Sequence, residues 1–151
     1  MKNSSMIPET QIEKIVGSWN LISIYYLFDD GTKMDLYGKK PIGILMYDEN
    51  GFMNAQLGDN LRQEIFRADD LADPTAKSKI FDSYMAYYGT YYEEAPGKVI
   101  HEVIGCTNPT WIGKKEIRYV DIHGDTLRIW TLPTLVDRRE AVIEVYWQRI
   151  H

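Results

Sequence analysis

His101 lies in the stretch VIHEV, between Val99 and Val103, and alternate residues of a strand share a face. All three should therefore point the same way. A histidine on an apolar face is either a satisfied core residue or a pocket group whose tuned pKa lets it move protons near neutral pH. Arg118, in the stretch IRYVDI, is expected on the same side as Val120 and Ile122, with Glu116 and Asp121 opposite. A buried guanidinium needs an acceptor. That acceptor could be a carboxylate in a structural ion pair, a tyrosine oxygen, or a carbonyl or enolate of a ligand. His101 as acid or base, with Arg118 or a tyrosine steadying negative charge, describes chemistry that needs no cofactor.

Five of the eleven tyrosines fall in YMAYYGTYY, residues 84–92. A tyrosine carries a polar tip on an apolar body, so such a cluster can plug a fold or line a cavity and orient a ligand.

Other chemistries lack their residues. Cys106 is the lone cysteine, five residues after His101, and an unbroken strand places it on the opposite face; a thiol–imidazole pair there requires a bulge. His123 sits in a turn and His151 ends the chain, so no histidine cluster is expected for a metal. The paired carboxylates Asp29–Asp30 and Asp69–Asp70 belong to turns and charged loops. No glycine-rich nucleotide motif occurs, and no cofactor is expected.

These residues need a scaffold. At 151 residues the chain suits a single domain, residues 1–151, burying roughly 70% of its unfolded surface. Residues 1–12 could be a flexible or helical extension. Mean hydropathy of -0.35 fits a soluble protein, and no apolar run nears the ~20 residues of a spanning helix, so no membrane partner is expected. Seventeen Lys and Arg against 22 Asp and Glu give a net charge of -5, which argues against nucleic acid. A single cysteine and a start without signal-peptide character point to the cytoplasm.

Short β-branched and aromatic segments alternate with turn chemistry. Asp30–Gly31, DENG at 48–51, APG at 95–97 and HGD at 123–125 each divide two such segments, and AVIEVYWQRI follows last. About nine strands in next-neighbour order make an antiparallel meander, which loses its exposed edges by closing into an up-and-down β-barrel; a two-sheet sandwich is the other outcome. Alternation puts Trp19, Leu21, Ser23, Tyr25 and Leu27 on one face of the first strand, and Ile143, Val145, Trp147 and Arg149 inward on the last. One helix is expected over about 74–88 near the barrel mouth, capped by Asp73, opened by Pro74 and ended by Gly89. Tyr84, Tyr87 and Tyr88 would lie on its apolar stripe, with Tyr91 and Tyr92 opening a strand of which at most one faces inward. The long connection 58–75 is a candidate lid.

The order and spacing of GSWNLIS (17–23), PIGILMYDENGFMNAQL (41–57), AYYGTYY (86–92), VIHEV (99–103), NPTWIG (108–113) and IRYVDIHGDTLRI (117–129) resemble the lipocalin-like domain family of bacterial and fungal proteins. The resemblance implies a mainly β, antiparallel lipocalin-like barrel enclosing a small hydrophobic molecule. Trp19, in the glycine-x-tryptophan pattern, would close the barrel floor against Arg149. The residues expected to line the interior are Tyr25, Met53, Tyr84, Tyr87, Tyr88, His101 and Arg118. Because similar barrels include cyclases, the resemblance also admits a cofactor-free isomerase or cyclase of a hydrophobic metabolite, with His101 and Arg118 catalytic. A barrel filled by its own side chains is a third outcome.

Overall fold

A computed structural model describes residues 10–151. Ten strands form one sheet: β1 (Gly17–Phe28), β2 (Lys33–Asp35), β3 (Pro41–Tyr47), β4 (Phe52–Asp59), β5 (Tyr84–Ala95), β6 (Lys98–Cys106), β7 (Lys115–His123), β8 (Thr126–Trp130), β9 (Thr134–Val136) and β10 (Arg139–Arg149). β1 pairs antiparallel with β3 on one side and with β10 on the other, from Trp19 opposite Arg149 to Phe28 opposite Ala141. That second pairing shuts the sheet, so β1, β3 to β8 and β10 make a closed eight-strand barrel without free edges. The short strands β2 and β9 extend the sheet beside one half of β1 and the start of β10.

Helix is scarce: α1 (Ile12–Ile15), α2 (Arg62–Ile65) and α3 (Pro74–Asp82). Of the possible extension over 1–12, residues 1–9 lie outside the described residues, and Ile12 already begins α1. α1 fits under one end of the barrel. Its Ile15 is fully buried against the core, and the Ile15 carbonyl accepts from Trp19 Nε1 at 2.9 Å. The Arg149 guanidinium lies 4.1 Å from the Trp19 ring and donates to the Val16 carbonyl at 2.9 Å, satisfying the end of α1.

α3 starts where expected, with the Asp73 carboxylate accepting from the Thr75 and Ala76 amides and Pro74 in the first turn. It stops at Asp82, six residues short of the expected end. Tyrosine and threonine favour a pleated, half-buried surface, and Tyr84–Ala95 pairs with β4 on one side and β6 on the other, so every tyrosine of the stretch is in β5. Gly89 is no helix cap. It lies opposite Met53 and Val103, where a bulge in β6 brings the chains so close that a Cβ would sit 1.9 Å from the Glu102 carbonyl oxygen.

Two bulges decide what faces inward. In β1, Leu21 pairs with Trp147 and Ser23 with Tyr146, so Ile22 is the extra residue. The alternation flips there: Trp19 and Leu21 face in, then Ile24 and Tyr26, while Ser23, Tyr25 and Leu27 move to the outer face. In β6, Val103 pairs with Gly89 and Gly105 with Tyr88, so Ile104 is the extra residue and Cys106 joins the inward side opposite Tyr87. On β7, Glu116 was expected opposite Arg118. Two residues apart on a strand, they share a face, their partners on β6 being His101 and Val99.

Candidate functional site

A cavity of about 210 Å³ lies inside the barrel. Its wall is mostly apolar, including Ile24, Leu45, Leu57, Ile143 and Val145, and three of its polar residues come from adjacent strands: Tyr87 from β5, His101 from β6 and Arg118 from β7. Neighbouring strands carry these three because Tyr87, His101 and Arg118 are inward positions of adjacent members of the meander. The side away from α1 is framed by Tyr26, Leu36 and Tyr37, and by Trp111 from the turn between β6 and β7.

His101 is almost wholly buried, at 1% exposure, and both ring nitrogens are bonded. Tyr47 Oη lies 2.7 Å from Nε2 and Tyr87 Oη 2.8 Å from Nδ1. Burial pushes the imidazole well below its ordinary pKa, and the nearby Arg118 charge pushes the same way, so His101 is neutral. A neutral imidazole has one donor and one acceptor nitrogen. Tyr47, 2% exposed, has no hydrogen-bond partner other than His101 among the described residues, so its hydroxyl donates to Nε2. Nδ1 then carries the ring proton and donates it to the Tyr87 oxygen, and the Tyr87 proton is left to point elsewhere. This assignment follows from the hydrogen-bond network.

Tyr87 lies between this chain and Arg118. Burial raises its phenol pKa, and the guanidinium works against that rise. Arg118 Nη1 donates to the Ile117 carbonyl at 3.0 Å and sits 3.7 Å from Glu116 Oε2, the one carboxylate near it among the described residues. The Trp111 ring meets the Arg118 guanidinium at 5.9 Å and the Tyr87 ring edge-on at 5.8 Å. Trp147 is also part of the cavity wall, and its Nε1 is buried without a hydrogen-bond partner among the described residues.

The residues expected to line the interior divide sharply. Tyr87, His101 and Arg118 meet at the cavity. Met53 is buried in the core but is not part of the cavity wall. Tyr25, turned outward by the Ile22 bulge, donates to Glu144 Oε1 at 2.7 Å under Lys33. Tyr84 and Tyr88 lie on the outer face, each covering a glycine across the strand pair: a Cβ on Gly58 would meet the Tyr84 ring at 2.3 Å and one on Gly105 the Tyr88 ring at 2.4 Å. Of the later pair, Tyr91 is buried and Tyr92 is exposed. Cys106 gains the inward side through its bulge, yet its sulfur contacts the Met85 sulfur and the Asn108 amide rather than His101. No group of three metal-ligating side chains occurs among the described residues. The 58–75 connection folds into α2 and a turn of 3-10 helix, pinned where Arg62 Nε donates to Ser83 Oγ at 2.8 Å, and none of residues 59–75 reaches the cavity wall.

Sequence reasoning passed over Tyr47 and left Trp111 unplaced. Tyr47 was findable, since alternation from Leu45 puts it on the inward face of β3. Trp111 was not, because a turn residue has no alternation to read.

No curated protein matches the chain. Two solved structures are similar to it at low identity. A lipocalin-like protein from Bacteroides uniformis shares 13% identity with a TM-score of 0.47, over 90% of this chain and 98% of that one. A redesigned β-barrel shares 11% with a TM-score of 0.45, over 98% of this chain and 100% of its own. The lipocalin-like domain family matches residues 16–150, from one residue before β1 to one residue past β10. By that match the chain belongs to the lipocalin-like domain family.

Proposed function

We propose that this chain, acting as a single domain, is a binding barrel for a small, mostly apolar molecule held in the cavity. The observation that carries the reading is the cavity itself: about 210 Å³ of space walled by aliphatic and aromatic side chains, with a few polar residues among them. A self-filled barrel would have no such space. The volume is below the 300–1,000 Å³ range usual for drug-sized ligands, so the molecule is small.

Native mass spectrometry of the purified protein should show a retained small molecule, or added toluene should shift the Trp111 and Trp147 indole resonances saturably. Ala55→Leu and, separately, Val145→Phe, which push side chains into the space, should abolish both signals. Absence of both in the unmodified protein removes the proposal.

A second reading, a cofactor-free isomerase or cyclase, has one observation in its favour: the Tyr47–His101–Tyr87 chain can shift a proton between its members by exchanging imidazole tautomers. In that case Tyr87 is the group that contacts the substrate and His101 stands behind it, rather than acting on the substrate directly. If a retained molecule is turned over, Tyr87→Phe should slow it about 10²-fold or more. An unchanged rate would take the chain out of the mechanism.

A further inference from the structure

Resting on the binding reading, a count of donors against acceptors around the cavity goes further and says what kind of molecule fits. Tyr87 has its own proton unassigned within the protein, because its oxygen receives from His101 Nδ1. Arg118 contributes guanidinium N–H groups and has only Glu116 as a carboxylate neighbour among the described residues, at 3.7 Å. A buried donor left unmet is costly.

Acceptors on the same wall are the hydroxyl oxygens of Tyr26 and Tyr37, at the end away from α1, and that of Thr131. Thr131 Oγ1 is already engaged, donating to the Leu132 carbonyl at 3.1 Å and receiving from the Ile143 amide at 3.0 Å. No carboxylate side chain is part of the wall, and Glu116 stands outside it. His101 adds no acceptor, since both nitrogens are bonded, and no charge, since it is neutral. The wall beside Tyr87 therefore offers donors and the positive charge of Arg118, with no carboxylate of the wall to oppose it. An occupant must supply oxygen acceptors, and a negative charge complements the guanidinium best.

We propose that the barrel's ligand is a small monocarboxylic acid bound as its carboxylate, with its oxygens at Tyr87 and Arg118 and its apolar part among Leu57, Ile143 and Val145. The size follows from volume. A cavity of about 150 Å³ takes benzene, so about 210 Å³ takes a ring with a short acidic arm or a short alkanoate.

The test compares matched pairs by calorimetry: phenylacetate against phenylacetamide, and hexanoate against hexanamide. Each amide keeps the shape but replaces the anionic oxygen with an NH2 donor, which faces only donors. The carboxylates should bind about tenfold or more tightly than their amides. Arg118→Met should erase that preference, while Arg118→Lys, which keeps the charge, should retain part of it. Selectivity in the unmodified protein decides the matter even if a variant fails to fold. Amides binding as tightly as acids overturns the carboxylate assignment and leaves the barrel a binding protein. Binding of none of the four, in protein stripped of any co-purifying molecule, overturns both.

Discussion

Removing the Tyr47 hydroxyl tests the polar chain at the centre of the barrel more directly than removing His101. With Nδ1 protonated toward Tyr87, Tyr47→Phe strips Nε2 of its only donor and leaves a buried acceptor unmet. Such a group costs about 1–3 kcal/mol. Because Tyr47 and His101 are almost wholly enclosed, solvent does not soften the loss. For a chain of this length each kcal/mol lowers Tm by about 2–4 °C, so a drop of about 4–8 °C is expected for a 2 kcal/mol loss. His101→Leu leaves two hydroxyls unpaired, but His101→Leu on the Tyr47→Phe background leaves only that of Tyr87, which borders the cavity and Arg118. The double variant should therefore be less destabilised than the sum of the singles, by about 1–2 kcal/mol in urea unfolding. Nitrogen chemical shifts of His101 should report the Nδ1–H tautomer. An additive cycle, or an Nε2–H tautomer, refutes the reasoning.

Two further outcomes follow from named contacts. His101 has a folded pKa held well below its unfolded value of about 6.5, so the unfolded chain binds the extra proton: its contribution is fully present above about pH 6.5 and is lost as pH falls toward the folded value. Stability should drop by up to about 1.4 kcal/mol per pH unit below 6.5, and His101→Gln should flatten that slope in urea titrations, whereas an unchanged slope assigns it elsewhere. Gly89→Ala forces a Cβ against the Glu102 carbonyl and should cost about 2 kcal/mol or more by thermal unfolding; a neutral substitution means that the β6 bulge relaxes freely.

How much was readable depended on whether alternation survived along each strand. On β6 and β7 it holds through His101 and Arg118, and those two positions were legible. The β1 bulge at Ile22 defeats it for Tyr25, since one extra residue exchanges the faces of everything beyond it. The β6 bulge does the same for Cys106. No feature of the residue types at 21–23 announces a bulge, and Gly105 marks a bulge or a close approach without saying which residue is extra; each is set by where the partner strand runs. The helix over 74–88 failed for a related reason. Tyr84, Tyr87 and Tyr88 have helical spacing by number, but pairing with β4 and β6 satisfies their backbone on both sides, and that tertiary gain outweighs a local pattern. The closed barrel was readable because tight turns and strand lengths belong to the chain itself.

The polar chain also explains why the cavity is small. Tyr91, whose ring packs edge-on against Tyr47 at 4.7 Å and whose hydroxyl donates to the Asp48 carbonyl at 2.6 Å, adds to its bulk. Trp19, Leu127 and Ile15 fill the end beyond it with no exposure at all. A ligand entering past Tyr37 would meet Tyr87 and Arg118 and could descend no further without displacing Tyr47 or Tyr91, whose hydroxyls are committed. The tyrosines of 84–92 thus divide the work by position. Tyr84 and Tyr88 shield cross-strand glycines from outside, Tyr91 packs the interior, and Tyr87 alone among them borders the cavity. Extending the space toward α1 therefore means changing Tyr47 or Tyr91, and either change would break a hydrogen bond as well as open volume. The depth of the cavity and the stability of the barrel are set by the same side chains.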